Sequence, residues 1–316
     1  MLSELVTPRR VALIINPTAG RGRAGRAVDD IRRCLNVNDV DAVYYYTKGA
    51  GNGESLANEA IRAGATVVAA VGGDGTLHEV TNAVMSAPAG SVALGLLPFG
   101  TGNDFARGAG LFGDLARACD ALAVGPVRHI DIGRISSPSL ASDRWFLVAA
   151  GLGFVADIAA TVNRGLRRLH GAPAYIYGAA VTLRHLRSFA IVIKLDGQTL
   201  DFDEATVISI SNVETTGGGL KIAPGADLAD GLLDVCLVGK LGRLELLKQL
   251  PAVVTGKHIS HPAVTMLRGK CVEIETSEPK ELWIDGEVVG HTPATFTIYG
   301  GKLPMVLPAA SSIAIV

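Results

Sequence analysis

The chain has 316 residues, 48% of them hydrophobic and 19% charged, with a formal net charge of −1. That length suggests two domains, and that composition excludes a disordered chain. The near-zero charge gives no global attraction to nucleic acid, and no run of apolar residues is long enough to span a bilayer.

The first 127 residues alternate strand and helix. The spacing predicts strands over 11–16, 41–47, 65–71 and 92–98. It predicts helices over 25–35, 54–63, 76–86 and 114–123. Buried strands separated by helices imply a parallel sheet between helix layers. In such sheets ligands gather beyond the carboxyl ends of the strands, where every Gly-rich turn of this half falls. From about Arg128 the rhythm becomes short period-2 strands with turn signals at Asp196-Gly197 and Asp285-Gly286. These predict an antiparallel sandwich or barrel, interrupted by helices over 155–169, 174–188 and 242–255. The domain division expected is 1–130 and 131–300, with the segment 301–316 returning to the first domain.

The four cysteines, Cys34, Cys119, Cys236 and Cys271, lie far apart and read as reduced thiols. The N-terminal apolar run is too short for a signal peptide, so a cytoplasmic protein is expected.

Three turns carry the chemistry. The first, "NPTAGRGRAG", contains Gly20, Gly22 and Gly25 in G-x-G-x-x-G spacing. Four residues separate the strand from the first glycine, and Thr47 stands where a dinucleotide site has an acid, so a dinucleotide fold is disfavoured. Glycines before a helix, with Arg21 and Arg23, still suit a phosphate. The second turn, "GGDGT", places Asp74 among Gly72, Gly73 and Gly75 where a strand gives way to a helix. Asp74 reads either as a helix cap or as a carboxylate that brings Mg²⁺ to a phosphate. The third, "GTGNDFARG", repeats the pattern with Thr101, Asn103 and Asp104. Two Gly-Asp turns at strand ends of one sheet favour the metal–phosphate reading. A P-loop is absent.

In order and spacing, "NPTAG", "GGDGTLHEV" and "GTGNDFAR" resemble the catalytic domain of the diacylglycerol kinase and sphingosine kinase group, in its bacterial single-chain form. "GGGLKIAPGADLADGLLDV" and "LWIDGEVV" resemble that group's second domain. The resemblance implies an α/β nucleotide-binding domain and a C-terminal β-sandwich domain, with an active site in an interdomain cleft. It implies ATP contacts at Asn16, Pro17, Gly20, Thr47, Gly72, Gly73, Asp74, Gly75, Thr76, Leu77, His78, Thr101 and Asn103. Asp74 and Asp104 match carboxylates that organise a catalytic Mg²⁺. Asp227, Asp230 and Leu232 match a second, structural Mg²⁺ site. Glu287 matches the proton acceptor, with Asp285 as its alternative if the register shifts. Two positions depart from the group: His78, where asparagine is frequent, and Thr216, where an aromatic residue precedes the triple glycine.

The activity so implied is ATP- and Mg²⁺-dependent phosphorylation of a lipid hydroxyl, on diacylglycerol or a similar long-chain lipid. The alternatives are a soluble-substrate kinase of the NAD kinase type and a non-catalytic lipid- or nucleotide-binding regulator. Residues 158–195 are rich in arginine and free of acids up to Leu195, which suggests peripheral contact with an anionic membrane. A homodimer is possible for such an enzyme; no nucleic-acid partner is expected.

Overall fold

The computed structural model describes residues 9–153, 177, 178, 181, 183 and 187–309. The helix expected over 155–169, most of the one expected over 174–188, most of the basic segment 158–195 and the last seven residues fall outside these.

By contacts the chain divides into two units. The first holds residues up to Gly100, Gly110–Arg128 and the stretch from Leu303. The second holds Thr101–Ala109 and His129–Lys302. The segment carrying Thr101, Asn103 and Asp104 therefore groups with the second unit, although the sequence reading placed it in the first.

In the first unit, β1 (Val11–Ile15), β2 (Ala42–Tyr46), β3 (Val67–Gly72) and β4 (Ala93–Pro98) form a parallel sheet in the order β2-β1-β3-β4. The strands β1 and β3 are buried throughout, which fits their unbroken apolar runs between helices. The helices are α1 (Ala19–Arg26), α2 (Val28–Val37), α3 (Asn52–Arg62), α4 (Asp74–Ser86) and, after the excursion to the second unit, α6 (Leu115–Val124). The helix expected over 25–35 is mainly α2; α1 precedes it across Ala27 and is itself kinked, with Gly20, Arg21 and Gly22 in left-handed conformations. The five-residue α5 (Asp104–Gly108) belongs to the second unit. Its shortness hid it from periodicity.

The second unit is antiparallel. Its strands are β5 (Val127–Ser136), β6 (Arg144–Phe146), β7 (Ala149–Gly153), β8 (Phe189–Leu195), β9 (Gln198–Ser211), β10 (Thr215–Thr216), β11 (Leu220–Lys221), β12 (Leu233–Gly239), β13 (Val264–Gly269), β14 (Cys271–Thr276), β15 (Glu281–Ile284), β16 (Glu287–His291) and β17 (Ala294–Val306). One helix, α7 (Arg243–Thr255), stands between β12 and β13. The long β9 serves both layers of the sandwich. Its first half pairs with β8, and its second half lies between β7 and β12. Ile193, Ile208, Ile210, Ile274, Leu282 and Phe296 share one core, where Phe146 and Phe296 meet edge to face at 6.4 Å. The end of β17 belongs to the first unit, where Met305 pairs in parallel with Leu94.

Candidate active site

In the first unit the expected nucleotide residues gather at the carboxyl ends of β1, β2 and β3. Asn16 follows β1 and donates from Nδ2 to the Thr76 hydroxyl at 3.3 Å, while its Oδ1 accepts from the amide and hydroxyl of Thr18. The amide of Thr47, just past β2, donates to the Ile15 carbonyl at 2.8 Å. The carbonyl of Pro17 accepts from the Gly25 amide. A Cβ on Gly20 would lie 2.1 Å from the Phe99 carbonyl oxygen, so this turn is pressed against the one after β4. Arg23 braces the same contact, donating to the carbonyls of Gly20 and Gly100 at 3.2 and 2.8 Å. The sequence offered Arg23 as a phosphate ligand; its guanidinium instead ties two turns together.

Packing restricts Gly72 and Gly73 but not Gly75. Gly73 is extended at φ −101, and neither Gly72 nor Gly75 is among the glycines with positive φ. A Cβ on Gly72 would meet the Thr76 hydroxyl at 2.5 Å, and one on Gly73 would meet the Gly100 Cα at 3.0 Å. One on Gly75 would meet nothing within 4 Å. The cap of α4 is Gly73, with no side-chain hydrogen bond, so Asp74 is the first helical residue rather than the cap. Thr76, Leu77 and His78 are buried, and the His78 carbonyl accepts from Asn82 at 3.0 Å. Leu77 and His78 thus line the underside of the turn. Sequence reasoning missed Glu79, whose carboxylate accepts the amides of Gly51 and Gly53 at 2.7 and 2.6 Å and fixes the start of α3 against α4.

In the second unit, Thr101 is exposed and Asn103 is buried in a left-handed conformation before α5. Asp104 accepts the amide of Gly218 on Oδ2 and that of Gly219 on Oδ1, both at 2.7 Å. Burial pushes its carboxyl above the ordinary range, opposed by the Gly218 amide, the Thr215 hydroxyl, the Gly219 amide and the charge of Arg107. Gly217, Gly218 and Gly219 all lie at positive φ, a backbone that side chains disfavour. Asp104 organises that turn; Asp74 belongs to the other unit.

The D-G-E segment forms a hairpin with Asp285 and Gly286 at its apex, both left-handed. The Asp285 carboxylate accepts three amides, Leu147, Val148 and Ala149, at 3.0, 2.9 and 3.2 Å. With both oxygens holding backbone, Asp285 anchors the hairpin and does not fit the role of a proton acceptor. Glu287, two residues on, is exposed at the start of β16.

Around the 227–232 loop four carboxylates gather. Asp227 accepts from the Ala229 amide and Asp230 from the Leu232 amide, each at 3.0 Å. Arg268 pairs with both Asp230 and Asp234. Asp131, missed by sequence reasoning, accepts the amides of Gly231 at 2.6 Å and Gly301 at 2.7 Å. Its carboxyl is raised by burial above all, countered by those amides and raised further by Asp230 and Asp227. Burial also raises Asp234, against the pull of Arg268. Asp234 is 5% exposed and its Oδ2 has no hydrogen-bond partner among the described residues. Among the described residues no three or more His, Cys, Asp or Glu side chains form a ready metal cluster. The charge balance nevertheless fits a cation, since Arg268 pairs with only two of the four acids and a buried carboxylate oxygen is left over.

Two family models match the chain. The diacylglycerol kinase catalytic domain covers residues 10–135, and the YegS C-terminal NAD kinase beta sandwich-like domain covers 148–310. A diacylglycerol kinase of Mycobacterium tuberculosis (strain CDC 1551 / Oshkosh) is 31% identical over 95% of each chain. One of Bacillus subtilis (strain 168) is 28% identical over 95% of this chain and 97% of its own. A solved structure from Bacillus anthracis str. Sterne, 25% identical, superposes with a TM-score of 0.80 over 97% of this chain and 98% of that one. With both halves matched by their own models and near full-length relatives on either side, the chain belongs to the diacylglycerol kinase family of lipid kinases.

Proposed function

We propose that the protein transfers the γ-phosphoryl group of ATP, with Mg²⁺, to a hydroxyl of diacylglycerol or a similar long-chain lipid at a membrane surface. The observation that carries this reading is the bare N-terminus of α4. Its cap is a glycine without a side chain, and the space over Gly75 is open. Amides at the start of a 13-residue helix favour an anion, and the Gly72–Gly75 backbone lets a phosphate approach. Asn16, Thr76 and Thr47 shape the neighbouring strand ends. The acceptor oxygen attacks the γ-phosphorus, its proton passes to the Glu287 carboxylate, and ADP leaves. Asp285 holds the hairpin that carries Glu287. Asp74 and Asp104 would each offer a carboxylate to the catalytic ion, and Asp227, Asp230 and the Leu232 carbonyl would hold the structural one. Bound Mg²⁺ supplies neutralisation of phosphate charge.

Incubating the protein with γ-labelled ATP and a total lipid extract, beside a parallel reaction with NAD, tests the reading. A labelled phospholipid of the phosphatidic acid type is expected. Label in NADP, or in neither, would overturn it.

A further inference from the structure

The helix α7 has one broad apolar face, part of it packed and part of it exposed. Leu246 and Leu250, one turn apart, pack on Val207, Cys236, Val238 and Leu241. Next to them round the helix lies a stripe of Leu244, Leu247, Pro251 and Val254, at spacings of three and four. Leu244 is 76% exposed and Val254 41%; Ile259, in the 3-10 turn Lys257–Ser260 that follows, is 41% exposed. No residue of α7 is buried. Glu245, Lys248 and Gln249 take up the polar remainder of the helix, so the exposed part of its apolar face lacks a cover in the described part of this chain.

The charge around the stripe indicates the cover. From Leu241 to His261 the basic residues are Arg243, Lys248 and Lys257, against a single acid, Glu245. Glu245 turns back on the helix start, accepting the Gly242 amide at 3.4 Å and standing 3.4 Å from Nε2 of His261. An open groove of about 660 Å³ runs beside the first turns, lined among others by Arg243, Leu244, Lys248 and His261. Exposed aliphatic side chains inside a basic rim match an anionic bilayer, whose acyl boundary takes the former and whose headgroups take the latter. A second copy of the chain, joined by a two-fold axis, would set this rim against itself.

We propose that the outward face of α7, with the 3-10 turn after it, is the surface by which the protein docks on anionic phospholipid. The proposal rests on the lipid kinase reading for its purpose, and it places docking outside the basic segment 158–195.

The test is sedimentation of the full chain with phosphatidylcholine vesicles, with and without phosphatidylserine. Binding to the phosphatidylserine vesicles is expected, weakened by salt. Each basic side chain near such a surface is worth about fivefold in partitioning, so the Lys248→Glu/Lys257→Glu variant should lose at least about tenfold. The Leu244→Glu/Val254→Glu variant should lose binding as well. If that pair disturbs folding by circular dichroism, the lysine pair still decides. Both variants should phosphorylate a short-chain, monomeric diacylglycerol at the wild-type rate while slowing on vesicles. No binding by the wild type, equal binding by the variants, or a wild-type dimer that the variants dissociate would overturn the docking surface. Vesicle binding that follows the variants without phosphorylation of any lipid would leave docking intact and sink the kinase reading.

Discussion

The Asp104 carboxylate accepts the amide hydrogen of Gly218 across 114 positions of sequence, at 2.7 Å, and takes that of Gly219 with its other oxygen. A residue that sequence reading assigns to metal thus also determines the shape of the triple-glycine turn. Asp104→Ala would leave two part-buried amides without acceptors, each costing about 1–3 kcal/mol. A fall in melting temperature should accompany the loss of activity, and urea unfolding measures it. A variant as stable as the wild type would show that the turn does not need the carboxylate.

Glu287 and Asp285 should separate cleanly. Glu287→Gln removes an exposed carboxylate, so stability should hold within about 0.5 kcal/mol. Turnover should fall by about 10²–10⁴, the usual worth of a positioned base. Asp285→Ala should do the reverse in emphasis, lowering the melting temperature by exposing three amides. Kinetics and thermal melts on the same two variants check both.

Gly75→Ala should leave the fold alone, because the added methyl meets open space and the backbone is helical. The same methyl would stand over the amides at the start of α4. KM for ATP should rise by about tenfold, the worth of one hydrogen bond to a charged group. Gly72→Ala should instead destabilise, since its methyl would meet Thr76 at 2.5 Å.

Asp104, Asp131 and Asp234 all have carboxyls raised by burial. For each, the folded chain holds a proton more readily than the unfolded chain. Between the ordinary carboxylate range and the raised values the folded state therefore binds more protons, and stability from these groups falls as pH rises. Wild type should gain on Asp234→Asn as pH is lowered through that window. Melting curves of both proteins across mildly acidic pH read the difference.

Mg²⁺ should act in the opposite sense, stabilising the ionised loop. Saturating Mg²⁺ should raise the melting temperature of the wild type, through a stabilisation of about 2.7 kcal/mol at one hundred times Kd. The increment should vanish in Asp227→Ala/Asp230→Ala. An equal increment in both proteins would place the ion elsewhere.

The α/β half was legible because β1 and β3 are buried along their whole length and the turns after them carry glycine. The reason for those glycines was not. Thr76 lies too close to Gly72, and Gly100 too close to Gly73, for a side chain to fit easily, and neither closeness can be read from local sequence. Arg23 read as an anion ligand because its carbonyl partner Gly100 lies 77 residues away. Asp131 misled the reading: Ile130-Asp131-Ile132 alternates in sequence, which turns the acid outward, whereas both faces of the strand are buried there. Glu79 was hidden too, its partners being backbone amides of another helix.

The strand β9 hydrogen-bonds to one layer through its first half and to the other through its second. Side chains alternate sides along a strand, so sliding β9 by a single position would evert both inner walls together. Neither layer can misalign while its companion stays correct. The sandwich thus makes one choice of alignment, and every partner of that strand inherits it.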